Sequence, residues 1–245
     1  MWRALVSAIG FLTRLPVPNV ALAEADVARG AGFFSWVGML IAALLWLAHA
    51  ALHQLGPSVS AMCVVALWAW LTGALHLDGL ADTVDGLSGG RGDRARTLSI
   101  MRDSRIGAHG AVALCLGIGL KWVALDHLFA AGNGLWIIAP VVSRFACTTL
   151  LASFRYAREQ GLGTAFADRV GPSEVLLSAL VFVPMYTTFG QSFMLASAVG
   201  LICAWAIALR ARAVLEGLTG DVHGAAIEIC EIGTLLALGA PVVWA

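Results

Sequence analysis

Of 245 residues, 60% are hydrophobic and 12% charged, and the mean hydropathy is +0.85. A soluble domain carries about 25% charged residues, so this chain has too few to clothe a water-facing surface. Its 15 basic and 15 acidic residues balance, which argues against a nucleic-acid binder; five cysteines standing singly in apolar runs, without a CxxC pair, argue against a disulfide framework or a zinc site.

The composition fits an all-α fold, a polytopic membrane helical bundle forming one integral-membrane domain over residues 1–245. In chain order, Trp2 to Leu15 reads as an amphipathic interfacial helix with Arg3 and Arg14 on its edge. The same region has features of a signal peptide, with ALAEA as a cleavage site, but Arg14, Pro16 and Pro18 interrupt its apolar run. A spanning helix needs about 20 mostly apolar residues. About seven segments meet that need: 30–54, 57–77, 108–130, 134–153, 174–189, 192–209 and 222–244. The fifth is short and carries Pro184, so a kink or tilt is expected there. The sixth and seventh are rich in small residues, which let helices approach closely in lipid.

The connections alternate in charge. Those near 55–57, 131–134 and 188–192 carry none, whereas the other set holds nearly all the arginines, including Arg29, Arg91 to Arg105, Arg155, Arg158, Arg169, Arg210 and Arg212. The positive-inside rule puts that set in the cytoplasm, with the N-terminus in and the C-terminus out. Lys121 and Arg144 fall within spans; Lys121 is expected to snorkel towards the far interface near Asp126, and Arg144 to need a carboxylate or phosphate partner.

The acidic residues gather on the arginine-rich side. In HLDGLADTVDGLSGG, residues 76–90, Asp78, Asp82 and Asp85 stand at i, i+4 and i+7. At ~100° per residue all three share one helical face within ~60°. Unpaired anions at the rim of a membrane helix are costly, and Mg²⁺ resolves the repulsion while keeping positions open for phosphates. Asp103 is the candidate fourth ligand, so Asp78, Asp82, Asp85 and Asp103 form the expected metal set. The bland alternative is a solvated helix end whose aspartates pair with nearby arginines. Beyond it, Gly86, Gly89, Gly90 and Gly92 permit close backbone approach to a ligand, and the arginines offer forks for phosphate oxygens. Arg102 and Arg105 flank Asp103 and are favoured over Arg94 and Arg96.

A second acidic stretch, GLTGDVHGAAIEICEIG, spans residues 217–233. Asp221 and Glu228 lie two turns apart, nearly in register, with Glu231 ~60° further around. These carboxylates either hold a second cation or polar substrate groups, or pair with Arg144 or another buried base. Gly220 and Gly224 form a small edge for helix contact. His76, His109 and His223 are candidate bases or ligands, a structural role being the common one for a lone histidine.

The runs GALHLDGLADTVDGLSGG, IMRDSRIGAHG and LTGDVHGA, with FLTRLPVP near the start, resemble the cobalamin-5′-phosphate synthase (adenosylcobinamide-GDP ribazoletransferase) family. The resemblance implies an enzyme of the bacterial cytoplasmic membrane that joins adenosylcobinamide-GDP to α-ribazole or its 5′-phosphate and releases GMP, with Mg²⁺ as cofactor. It implies Asp78, Asp82, Asp85 and Asp103 as metal ligands. Asp82, Asp85 and Asp103 are the catalytic candidates, Asp85 or Asp103 as general base; Arg14, Arg91, Arg102, Arg105, His109, Arg144, Asp221 and Glu228 are the substrate-binding candidates. The active site is expected to face the cytoplasm, with lipid as the surrounding partner and a homo-oligomer compatible but unspecified. The acidic run also resembles part of the CDP-alcohol phosphotransferase core, but Gly89 and Gly90 stand where Ala and Arg belong. A cation-coupled transporter is the third reading, opposed by the clustered arginines.

Overall fold

The structure, a computed structural model, describes residues 1–158, 166 and 169–240. Asp168 and the end of the last expected span therefore lie outside the described residues. Eleven α-helices are present among the described residues: α1 (Trp2–Leu12), α2 (Glu24–Gly30), α3 (Phe34–Leu52), α4 (Pro57–Leu71), α5 (Leu75–Gly90), α6 (Arg94–Ile100), α7 (Ala108–Ala130), α8 (Ala139–Ser153), α9 (Pro172–Ala179), α10 (Phe182–Leu215) and α11 (Gly220–Gly239). No strand is formed among them, and a single isolated bridge joins Tyr156 to Leu218. The helical class expected from composition is what the chain adopts. Five helical runs are individually long and apolar enough to cross a membrane, and α4 with α5 adds a sixth if that pair, bent by 87°, is one broken span.

Three boundaries differ from the sequence reading. α1 stops at Leu12, because Thr13 turns to extended backbone and Pro16 follows. The second span ends at Leu71 instead of 77. Its carbonyls are closed by Gly73 N–H on Trp70 O (3.0 Å) and Ala74 N–H on Ala69 O (2.8 Å), the two bonds of a Schellman end. Gly73 and Ala74 both take positive φ, 63° and 56°, and the chain leaves in a new direction as α5. The glycine stretch beyond Asp85 is the end of α5, where a loop was expected. A Cβ on Gly86 would lie 2.4 Å from Met101 Cγ and one on Gly90 1.9 Å from Thr97 Oγ1, so these glycines seat α6 against α5 and are not free to cradle a phosphate.

The expected separation of segments 174–189 and 192–209 survives inside α9 and α10. Leu180 and Val181 keep helical dihedrals between the two helices. Pro184 has no N–H to give Leu180 O, which marks the interruption. Gly190 then breaks α10 with φ 59° and ψ −138°. The Phe182 and Phe193 rings meet at 5.2 Å, although eleven residues of straight helix would span about 16 Å; the chain doubles back at Gly190.

Packing follows lipid rules. α7 exposes Val112, Leu116, Leu120 and Val123, one stripe of large apolar side chains, while some of the closest approaches between helices fall on small residues. A Cβ on Gly38 of α3 would come within 2.5 Å of Pro140 O at α8, and one on Gly200 of α10 within 2.1 Å of Thr234 Oγ1 on α11. α11 is buried along most of its length and packs on α5, α7, α8 and α10, so whatever its first turn carries is fixed by four neighbours.

Candidate active site

The site forms where α5 and the start of α11 cross. They touch backbone to backbone: a Cβ on Gly79 would lie 2.6 Å from Asp221 O, and one on Gly224 3.2 Å from His76 Cα. Gly224 thus serves the close approach expected of it. Gly220 does not, its hypothetical Cβ meeting nothing nearer than Tyr156 Oη at 3.8 Å. The crossing sets Asp78 and Asp82 beside Asp221. Asp82, half-buried, is repelled by Asp78, Asp221 and Asp85 and attracted by Arg158. Asp103 is not among the charges acting on it.

Arg158 is the site residue that sequence reasoning missed, having been read only as a topology signal. The segment after α8 is stitched to the turn before α11 by Leu218 N–H on Arg155 O (2.9 Å) and Ala157 N–H on Leu218 O (2.8 Å). Arg94 ties the same corner, donating from Nε to Leu215 O (2.9 Å) and from a terminal nitrogen to Ala157 O (3.0 Å). Arg158 is thereby held against Asp221, with its terminal nitrogen 2.6 Å from Oδ2. Its buried Nε has no partner among the described residues. No local pattern reveals this pairing, because 63 residues separate the two.

A cavity of about 210 Å³ opens here. Asp78, His76, Tyr156, Arg158, Asp221 and His223 line it together with the apolar Phe11, Leu12, Leu151, Phe166 and Ile227. Thr219 caps α11 through Val222 N–H (3.3 Å). Its carbonyl accepts a hydrogen bond from His223 Nδ1 at 2.7 Å, which fixes that ring.

The other candidates are dispersed. Asp85 accepts Gly107 N–H on Oδ2 (2.7 Å) and Gly110 N–H on Oδ1 (2.8 Å), so it caps the N-terminus of α7, where the helix dipole favours an anion. Both glycines are required there, since a Cβ would fall within 2.5 Å of the carboxylate at either position. Asp103, in the turn after α6, pairs with Arg105 (2.7 Å), whose hydrogen bonds pull its carboxyl down to about 2. Arg91 occupies the left-handed end of α5, and Arg91, Arg102 and His109 are exposed. Arg14 donates its backbone N–H to Leu71 O (2.8 Å) and lays its side chain over Gly73 at the α4–α5 bend.

Arg144 and Glu228 belong to a buried ionic cluster. Glu231 bonds both Lys121 and Arg144, and Lys121 also pairs with Glu228 at 2.6 Å. Ser143 donates to Glu231 (3.1 Å), and Arg144 reaches His76 Nδ1 at 3.4 Å. Lys121 therefore does not snorkel towards Asp126; its ammonium is buried, also over the Trp68 ring at 4.6 Å. Two cations and two anions cancel. That balance is what tolerates charge at this depth, where breaking a buried pair costs about 3–5 kcal/mol. Of the alternatives open for Glu228 and Glu231, pairing with Arg144 and another base is the one adopted.

The side chains of Asp78 and Asp82 differ from the paired carboxylates above, having no hydrogen-bond or ion-pair partner among the described residues. No three His, Cys, Asp or Glu side chains there converge into a protein-built metal cage. Two unpaired carboxylates on one face nonetheless suit Mg²⁺, which is commonly held by one or two carboxylates and completed by water and substrate phosphates.

A helical bundle with five or six membrane-length helical runs, and a cavity edged by Asp78, Asp221 and Arg158, defines the class as an integral-membrane protein. The chain belongs to the cobalamin-5-phosphate synthase family, whose model matches residues 4–239. It is 41% identical over 236 residues to an adenosylcobinamide-GDP ribazoletransferase of Ectopseudomonas mendocina, covering 94% of this chain and 96% of the relative. It is 41% identical over 241 residues to one of Pseudomonas paraeruginosa and 40% identical to one of Pseudomonas aeruginosa, each alignment covering 96% of this chain and 97% of the relative. No solved structure matches.

Proposed function

We propose that this chain is a membrane transferase of cobalamin biosynthesis that joins adenosylcobinamide-GDP to α-ribazole or its 5′-phosphate and releases GMP. The observation carrying the site assignment is the pair of partnerless carboxylates, Asp78 lining the cavity and Asp82 one turn further along α5, beside the Asp221–Arg158 pair. Asp78 and Asp82 would hold Mg²⁺, which when bound offsets charge on the diphosphate and on departing GMP. Arg158, fixed by Asp221 and with Nε unused, is placed to donate to a phosphate oxygen. Asp221 has its counter-charge in Arg158 and needs no cation. The apolar side chains among the lining residues lower the local dielectric, which strengthens polar interactions inside. The arginine bias supports a site on the cytoplasmic face of a bacterial inner membrane, with the N-terminus inside.

The test uses purified protein in detergent with both substrates and Mg²⁺, following GMP. Asp82→Asn is expected to lower turnover by at least about 100-fold while the protein stays folded. Asp85→Asn is expected to lower the unfolding temperature, through about 1–3 kcal/mol lost at the α7 cap, with Mg²⁺ dependence unchanged. The reverse pattern would return the metal to Asp85 and sink the assignment to Asp78 and Asp82.

A further inference from the structure

The transfer reaction needs a group to receive the proton of the attacking hydroxyl, and the carboxylates are committed elsewhere. Asp85 has both oxygens on backbone N–H groups. Asp103 is bound by Arg105 and Asp221 by Arg158. Asp78 and Asp82 are the pair left for a cation.

The two histidines of the cavity wall are held in opposite tautomers. A guanidinium only donates, so His76 Nδ1, 3.4 Å from Arg144, is an acceptor and its proton sits on Nε2. A carbonyl only accepts, so His223 Nδ1, 2.7 Å from Thr219 O, carries the proton and Nε2 carries the lone pair. His223 is 7% exposed, and this Nε2 is buried with no partner among the described residues. A buried acceptor without a donor costs about 1–3 kcal/mol, a deficit that a hydroxyl reaching His223 from the cavity it lines would remove.

We propose that His223 Nε2 is the proton acceptor for the attacking hydroxyl, with Thr219 O as its orienting partner and His76 as the neighbouring donor; this rests on the transfer reaction proposed above. The hydroxyl oxygen forms a bond to the phosphorus attached to cobinamide. The bond from that phosphorus to the bridging diphosphate oxygen breaks, and GMP leaves with the electron pair. The hydroxyl proton passes to Nε2, giving an imidazolium still bonded through Nδ1–H to Thr219 O, and is released to water after GMP departs. The arrangement is that of a general base steered by a third group, here a backbone carbonyl fixed by the α11 cap.

The experiment compares His223→Ala and His223→Gln with wild type for GMP release, for binding of adenosylcobinamide-GDP, and for rescue by added imidazole. Both variants are expected to lose about 10²–10⁴-fold in kcat while still binding adenosylcobinamide-GDP, and imidazole is expected to restore part of the His223→Ala rate but none of the His223→Gln rate. If His223→Ala does not fold, His223→Gln carries the test, since its amide fills the space and can bond Thr219 O. Turnover within about threefold of wild type in either folded variant overturns the inference, as does loss of adenosylcobinamide-GDP binding without imidazole rescue. A wild-type protein that releases no GMP overturns the transfer reading and this inference with it. An active wild type beside an active His223 variant overturns the inference alone.

Discussion

Replacing Gly79 with alanine adds one methyl group at the α5–α11 crossing. That Cβ would lie 2.6 Å from Asp221 O and 3.1 Å from Asp221 Cα, roughly 1 Å inside ordinary contact. Backbone atoms cannot rotate away as a side chain can, so the helices must part by about that amount. Overpacking of this kind costs about 1–3 kcal/mol. The larger effect falls on the site, because the displaced atoms belong to Asp221, whose carboxylate holds Arg158. A misplacement near 1 Å costs on the order of 100-fold in rate. GMP release and thermal unfolding, measured together in detergent, separate the two effects: Gly79→Ala is expected to remain folded with a small loss of unfolding temperature and a rate loss of about two orders of magnitude. Gly220→Ala is the control, since its Cβ would meet only Tyr156 Oη at 3.8 Å. If Gly79→Ala turns over normally while Gly220→Ala does not, the crossing does not set the catalytic geometry.

Lys121→Met leaves Glu228 without its ion-pair partner and Glu231 with Arg144 alone; it is expected to destabilise by about 3–5 kcal/mol. Adding Glu228→Gln restores neutrality and is expected to recover part of that loss, whereas strictly additive losses in unfolding experiments would show the cluster is not coupled. Asp103, outside the membrane-spanning segments, is drawn down to about 2 by Arg105. A depressed carboxyl keeps its pairing above its ordinary value and loses it only as pH falls through the lowered one. Asp103→Asn is therefore expected to leave the pH profile of GMP release unchanged between about pH 4 and 7; a shifted acid limb would make Asp103 the titrating base.

What was legible in the sequence is what repeats locally. The shared face of Asp78, Asp82 and Asp85 follows from helical spacing, and the helix runs straight through all three. Spacing could not say that Asp85 faces the glycines of α7 while Asp78 and Asp82 face α11, because that depends on which helix lies against each turn. The glycines after Asp85 carried the same ambiguity: a glycine permits close approach of a ligand or of another helix, and here Met101 and Thr97 are what approach. Arg144 was legible as a charge needing a partner, yet the partner's identity required the fold to bring Glu231 opposite it. Arg158 had no local signal, since its function arises only when the Leu218 stitch delivers it to Asp221. The break at Gly73 had one, a glycine just after an apolar run, and the continuing apolar residues concealed it.

The two charged regions of this bundle obey one rule with opposite outcomes. In the interior, Lys121 and Arg144 meet Glu228 and Glu231, and the charges cancel within the protein. At the cavity, Asp78 and Asp221, with Asp82 beside them, meet Arg158 as the one Lys or Arg among the described lining residues, which leaves an excess of negative charge. An anionic diphosphate entering that cavity would be repelled by the same residues that line it. Arg158 already serves Asp221 and cannot supply the whole balance. The imbalance is therefore the physical ground for proposing that substrate and divalent cation bind together: each would bind weakly alone, and each would raise the other's affinity by the same factor. Calorimetric titration of adenosylcobinamide-GDP with and without Mg²⁺ is expected to show that reciprocity in wild type and to lose it in Asp82→Asn. Equal affinities in the presence and absence of the ion would mean that the excess charge is borne by solvent, and that the diphosphate is held by arginines elsewhere on this face.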